Sequence, residues 1–510
     1  MGVWLGGCIC LLVMTQIAHA HHRGSPRSDY ERHRPEQTAL YQTVAAYWHK
    51  FLERAEEAGG LPDFVKREVE AYLDCGLIEK GHVSVQCPSC GFERELAYSC
   101  KKRGGICPSC MGRRMNDTAM HLVDRVLPLD TPIRQWVCSM PFSLRFLMGY
   151  DKKLCADILS VYASELMHSY KLRAKHLLGL RSVDQAHTGA VTIVQRFDSA
   201  LRLNVHPHTL VIDGVYLQDG DSDRLVFYPL PAPTHAEVAA VASRIAERAE
   251  AVMRKHGRWV DGDSADSEPD PLSLEQPVLS ACYQGCAQGV DVLSERAGRP
   301  TLRLMTTPPV LSTSTEPGPV AVVRGFNLHA ATAVDGCDRE RLERLCQYIG
   351  RPPIAQDRLH ILDDGKVRYD MKRVWADGTS AIVLDPLDFI ARLCALVPPP
   401  YFHMVRFHAL LAPNSTLRSQ VVPAAAPTTT AAEPQRPGQL ELWDTNADSD
   451  RTTKRYACGR HPWAYLLKRV FKTDVTVCPK CQGRLQVVEV VTESEASKRA
   501  EQGIGPMPPP

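Results

Sequence analysis

The chain has 510 residues, which at roughly 150 per domain allows about three domains and excludes a single small module. Lysine and arginine number 60 against 58 aspartates and glutamates, for a net charge of +2, so a histone-like tail and an acidic disordered coil are both excluded and any basic surface must be local. Eighteen cysteines, several in C-x-x-C pairs, are too few per unit length for a disulfide scaffold and point to thiolates holding metal in a reducing compartment.

Residues 1–34 read as a leader or a mis-called start. Val3 to Ile17 is an apolar run ending in Ala18-His19-Ala20, like a signal-peptide core and cleavage site, yet no Lys or Arg precedes it and it is too short to span a membrane. From Gln37 to Leu73, apolar Val44, Trp48, Phe51, Leu52, Phe64 and Val65 recur at helical spacing, and Gly59-Gly60-Leu61-Pro62 splits the run into two helices. Arg134 to Pro141 predicts a strand stopped by proline, with Trp136 in the core, and Leu154 to Leu177 a long helix. Val191–Phe197 and Leu203–Ile212 predict two adjacent antiparallel strands closed by Asp213-Gly214. A helix follows over His235 to Arg254. Residues 261–319, rich in Asp, Ser, Pro and Gly, read as an insertion loop. Then come a strand at Ala321 to Ala333, a helix at Arg339 to Ile349 halted by Pro352-Pro353, and a helix at Asp385 to Leu396. Strands separated by helices imply an α+β fold. The expected division is 35–125 for a helical and cysteine-bearing part, 126–425 for the α+β part, 426–455 for a flexible linker and 456–510 for a small basic module.

Cys87-Pro88-Ser89-Cys90 and Cys107-Pro108-Ser109-Cys110, with 16 residues between them, fit the spacing of a four-thiolate zinc ribbon. Such a site is closed, so the ion stabilises a fold and activates no water. Cys75 and Cys100 are spare thiols able to enter the shell, and Cys478 with Cys481 forms a further knuckle whose nearest extra candidates are Cys458 and His461. Arg94, Lys101, Lys102, Arg103, Arg113 and Arg114 face a single Glu95 in this stretch, a patch able to neutralise several phosphates or simply a solvated face. Lys372, Arg373 and Trp375 mix cations with an aromatic, which suits clamping of single-stranded DNA as well as a solvated hairpin edge.

His206-Pro207-His208 lies inside an apolar strand, where the two-residue repeat projects both imidazoles from one face, close enough to bind one divalent ion. A third ligand and an open position would complete such a site. Tyr348 sits near the end of a helix, one turn before a double proline, where its phenol can enter a cleft. With a free pKa near 10 it needs cationic help, from Arg344, Arg351 or the ion, to act as a nucleophile.

The order of zinc ribbon, Arg134-Gln135-Trp136, Asn204-Val205-His206-Pro207-His208, Asp213-Gly214-Val215-Tyr216, Leu328-His329-Ala330 and Arg344 to Pro353 resembles the rolling-circle insertion-sequence transposases of the HUH (His-hydrophobe-His) endonuclease superfamily, of the IS91 and common-region type. The resemblance spans about residues 35–425 plus the terminal knuckle. It implies an HUH-type antiparallel sheet with flanking helices, an N-terminal zinc ribbon and a C-terminal knuckle module. It further implies Mg²⁺ or Mn²⁺ held by His206 and His208, with His329 and Gln347 as candidate third ligands, and attack by Tyr348 to give a 5′-phosphotyrosine link. Its partners would be single-stranded ends of a mobile element and target DNA, in a cytoplasmic, nucleoid-associated bacterial enzyme able to act as a homo-oligomer. Two departures stand out: proline between the histidines, and a single tyrosine where founding members carry two one helical turn apart. The competing reading is a non-catalytic zinc-dependent DNA-binding regulator, which needs only the ribbon, the basic patch and the terminal knuckle.

Overall fold

The computed structural model describes residues 32–220, 222–258, 270–309, 318–423 and 474–492. Two helices open the fold, α1 (Ala39–Glu57) and α2 (Asp63–Leu73), the first capped by the Thr38 hydroxyl, which accepts from the Tyr41 amide. A hairpin of β1 (His82–Gln86) and β2 (Glu93–Ala97) follows, then α3 (Pro108–Arg125), which starts with proline in its first turn. The central part begins with β3 (Ile133–Ser139), α4 (Phe142–Tyr150) and α5 (Lys152–Leu178), the last bounded by the Asp151 side chain and by left-handed Gly179. Next come β4 (Gly189–Phe197), β5 (Leu203–Ile212), the hairpin β6 (Gly214–Gln218) and β7 (Leu225–Pro229), and α6 (His235–Lys255), which opens on a Thr234–Glu237 capping box. The chain continues through α7 (Pro271–Glu275), α8 (Pro277–Gln288), β8 (Leu302–Met305), β9 (Val320–Val323), β10 (Phe326–Val334) and α9 (Arg339–Ile349). It closes with β11 (Leu359–Ile361), β12 (Val367–Asp370), β13 (Thr379–Leu384), α10 (Pro386–Leu396), β14 (Val405–Ala409) and β15 (Gln486–Val491).

The fold is α+β, built on a six-stranded antiparallel sheet in the order β14-β4-β5-β3-β10-β9. Alternation along each strand divides its residues between two cores. Trp136, Cys138, Val194, Val205 and Val211 face the layer that contains Ile158, Tyr162 and Tyr170 of α5 and Val238 and Ile245 of α6. On the other face, Ile133, Val191, Ile193, Leu210 and Ile212 pack with Ala119, Leu122 and Val123 of α3 and Leu342, Leu345 and Ile349 of α9. The helix that carries Tyr348 is thus pinned between the sheet and α3. Arg339 fixes its start, donating to the Pro128 oxygen at 2.7 Å and to the Leu127 oxygen at 3.2 Å where α3 ends.

Two regions depart from the sequence expectation. The described part of 261–319 is no open loop: α8 buries Val278, Leu279, Cys282, Tyr283 and Cys286, and β8 joins β13 in a second sheet, β11-β12-β13-β8. The apolar spacing of α8 is helical, but Pro, Asp and Ser on either side obscured it. The described part of the C-terminal segment, residues 474–492, does not stand apart either, because β15 pairs with β1 and completes a three-stranded sheet, β15-β1-β2. The leader, the 426–455 linker, Cys458, His461 and the basic segment Trp463 to Phe471 lie outside the described residues.

Candidate active site and metal centres

The cysteines gather in two groups of four, Cys75/Cys100/Cys107/Cys110 and Cys87/Cys90/Cys478/Cys481. A zinc ion with Zn–S bonds of about 2.3 Å at the centre of a tetrahedron sets its sulfurs about 3.8 Å apart. In the first group Cys75 Sγ lies 3.7 Å from Cys110 and 3.6 Å from Cys107, and Cys100 lies 3.4 Å from Cys110. In the second, Cys87 lies 3.4 Å from Cys481 and Cys90 3.5 Å from Cys478. Both sets therefore fit structural zinc. This corrects the single ribbon of Cys87, Cys90, Cys107 and Cys110. The first knuckle sits at the tip of the β1–β2 hairpin, while Cys107 and Cys110 sit at the start of α3, so the two pairs point at different ions. The true partner of the first knuckle is its copy near the C-terminus. Cys87 N–H donates to Phe92 O and Gly91 N–H to Cys87 O, and the same pattern recurs as Cys478 N–H to Gly483 O and Gln482 N–H to Cys478 O. All three knuckles read C-P-x-C, so the motif alone could not say which two share an ion.

The catalytic candidates meet on the α9 face of the sheet. His206 and His208 lie side by side with ring centres 5.0 Å apart, both buried, and burial pushes the His206 imidazole down to about 4 and that of His208 well below its usual value. His206 Nδ1 lies 2.7 Å from the Asn204 carbonyl, an acceptor only, so the proton sits on Nδ1 and the Nε2 lone pair is bare. The Gln135 side-chain amide lies 2.9 Å from His208 Nδ1, and the buried Nε2 of His208 has no partner. Two adjacent imidazoles, each with its Nδ1 engaged by a neighbour, form a donor set that fits a divalent cation through Nε2.

Pro207 is compatible with this central strand. Val194, its β4 neighbour, donates its amide away from β5, to Met404 O at 2.8 Å, so Val194 and Pro207 form a non-hydrogen-bonded pair. The donor that proline lacks would face β3, where the β3–β5 ladder ends at Val137–His208.

Tyr348 approaches the pair from α9, its ring 6.4 Å from that of His208 and edge-on at 87°. Arg351 lies over the phenol ring at 4.8 Å and Lys372 at 5.5 Å. Arg344 plays no such part, being exposed and 3.5 Å from Glu340 one turn back on the helix. Gln195, the register partner of His206, donates to the Ile349 oxygen at 2.7 Å and so ties the end of α9 to β4.

The family model described as "Transposase zinc-binding domain" matches residues 43–140, and the one described as "Putative transposase" matches residues 189–418. The chain belongs to the IS91-type transposases. Neither curated proteins nor solved structures give a match. A transposase acts on the DNA of its mobile element as an endonuclease and strand transferase. Among the described residues of this transposase no helix is long and apolar enough to cross a membrane.

The remaining candidates are dispersed. In the transposase, His329 pairs across β3 with Val137, itself paired with His208, so it stands two strands over, and it joins no group of three metal ligands with the histidine pair among the described residues. Gln347 is engaged by α3, donating to Asn116 Oδ1 at 3.0 Å. Trp375 is half-buried, donates to Ser199 Oγ at 3.1 Å and lies under Arg202 at 5.1 Å, whereas Lys372, in the same β12–β13 loop, reaches Tyr348. In the basic patch Lys101 and Arg103 are exposed, while Lys102, Arg113 and Arg114 are half-buried, with Arg113 donating to Ser99 Oγ at 3.3 Å.

Proposed function

We propose that this transposase nicks and joins single-stranded DNA through Tyr348, with His206 and His208 holding Mg²⁺ or Mn²⁺. The observation that carries the reading is the convergence of one phenol, two adjacent imidazoles and two cationic side chains on the α9 face of the sheet. When bound, the ion supplies charge stabilisation to a phosphodiester oxygen. Tyr348 Oη gives up its proton to solvent and attacks phosphorus, the bond from phosphorus to the 3′ oxygen breaks, and that oxygen takes a proton back from solvent as it leaves. The products are a 5′-phosphotyrosine and a free 3′-hydroxyl. Arg351 and Lys372 offset phosphate charge beside the nucleophile. The phosphotyrosine conserves the energy of the broken bond, so a second 3′-hydroxyl can attack it and restore a phosphodiester without ATP. One tyrosine on α9 means that the nucleophile is reused or that a second protomer supplies its own.

Incubation with a single-stranded oligonucleotide carrying the element end, in Mg²⁺ or Mn²⁺, is expected to give an SDS-resistant protein–DNA adduct that Tyr348→Phe abolishes. An adduct that persists in the Phe variant overturns the assignment. Binding with no adduct in any metal supports a zinc-dependent DNA-binding regulator instead.

A further inference from the structure

Gln135 belongs to a stretch, Arg134-Gln135-Trp136, whose three side chains do three different things. Arg134 turns to the α5 side and makes a bidentate pair with buried Asp213, at 2.9 and 2.7 Å. Trp136 packs on the same side and donates to Tyr170 at 3.1 Å. Gln135, alternating to the other face, is buried at 7 % exposure beside His208 at 4 %. Gln135 Nε2 is the amide atom 2.9 Å from Nδ1, and a half-turn of the amide puts Oε1 in nearly the same place, so the hydrogen bond to Nδ1 can run in either sense. If the nitrogen faces Nδ1, the proton of neutral His208 moves to Nε2, which has no acceptor, and a buried N–H is stranded. If the oxygen faces Nδ1, Nε2 is a bare lone pair beside that of His206, and a cation satisfies both.

We propose that Gln135 is a positioning residue that holds His208 with its proton on Nδ1 and its Nε2 lone pair turned to the cleft, a role that rests on the reading of His206 and His208 as cation ligands. The β3–β5 ladder makes this possible. Its register sets Gln135 opposite Leu210, one diagonal step from His208 on the same face, and a glutamine is long enough to span that step.

The test measures Mn²⁺ affinity of the full-length protein by the electron paramagnetic resonance of free Mn²⁺, with zinc already bound, alongside adduct formation. Gln135→Met keeps the volume and removes the acceptor, and is expected to weaken Mn²⁺ binding about 10- to 100-fold, with adduct formation recovering at saturating Mn²⁺. Gln135→Glu, an acceptor at the same point, is expected to bind Mn²⁺ within about threefold of the parent or more tightly. A purely packing role would not separate the two variants. Equal affinity in Gln135→Met and the parent overturns the proposal, and so does a Glu variant as weak as the Met variant at unchanged zinc content. His206→Ala and His208→Ala serve as the control on the underlying reading. If they leave Mn²⁺ binding intact, the histidine pair is not the cation site at all; if they abolish it while both Gln135 variants bind normally, only the role of Gln135 fails.

Discussion

The two cysteine clusters have the same chemistry and opposite reach. Cys75 and Cys110 are 35 residues apart, and their group closes locally at the start of α3. Cys87 and Cys481 are 394 residues apart, and their group joins the β1–β2 hairpin to the last described segment. By length alone, closing the longer loop costs a flexible chain about 2 kcal/mol more. Placement differs as well. The local cluster roots α3, whose Asn116 accepts from Gln347 and whose Met115 lies 3.7 Å from the position a Cβ would take at Gly350, on either side of Tyr348. The distant cluster leaves Cys90 and Cys481 exposed and fastens β15 to a small sheet away from α9. One cysteine cluster therefore supports the helix of Tyr348, and the other staples β15 to the β1–β2 hairpin.

Removing one thiol from each cluster breaks this comparison if the two variants behave alike. Cys110→Ser is expected to lower zinc from two ions per chain to one and to cut adduct formation by roughly 100-fold or more, because structural zinc contributes on the order of 10 kcal/mol to small sites and α3 loses its anchored first turn. Adduct yield within tenfold of the parent would disconnect this cluster from Tyr348. Cys481→Ser is expected to lose one zinc as well, yet to keep adduct formation within a few-fold while β15 becomes susceptible to limited proteolysis, since an unanchored terminal strand frays. A collapse of activity there would show that the distant staple also reaches the cleft. The smallest effect sharpens the route itself: Asn116→Ala removes one half-buried hydrogen bond, expected to cost about 1 kcal/mol in urea unfolding, with a larger drop in adduct rate than in stability. If the rate falls no more than stability does, the Asn116–Gln347 contact does not align the helix.

Much of the candidate site was legible because it obeys short periods. The alternation of Leu203 to Ile212 sets both histidines on one face, and the helix of Arg339 to Ile349 stops before a double proline with Tyr348 in its last turn. Arg351 was legible from its nearness to the tyrosine in sequence. Lys372, lying 24 positions on, was visible only as a nucleic-acid candidate, because nothing local says that the β12–β13 loop returns to α9. Gln135 and Gln195 were harder still, since a polar residue in a strand shows its role only once the strand's neighbours are known. The α8 helix was missed because its flanks are rich in turn-forming residues.

Local chemistry in the chain thus settled what each segment is: paired thiols in tight knuckles, imidazoles on one strand face, a phenol at a helix end. Which sulfurs share an ion, which amide meets His208 and which cations cover the phenol were decided by tertiary structure alone. Those choices depend on strand register and helix packing between segments up to 394 residues apart, and the hydrophobic period that shapes each segment carries no address for its partner.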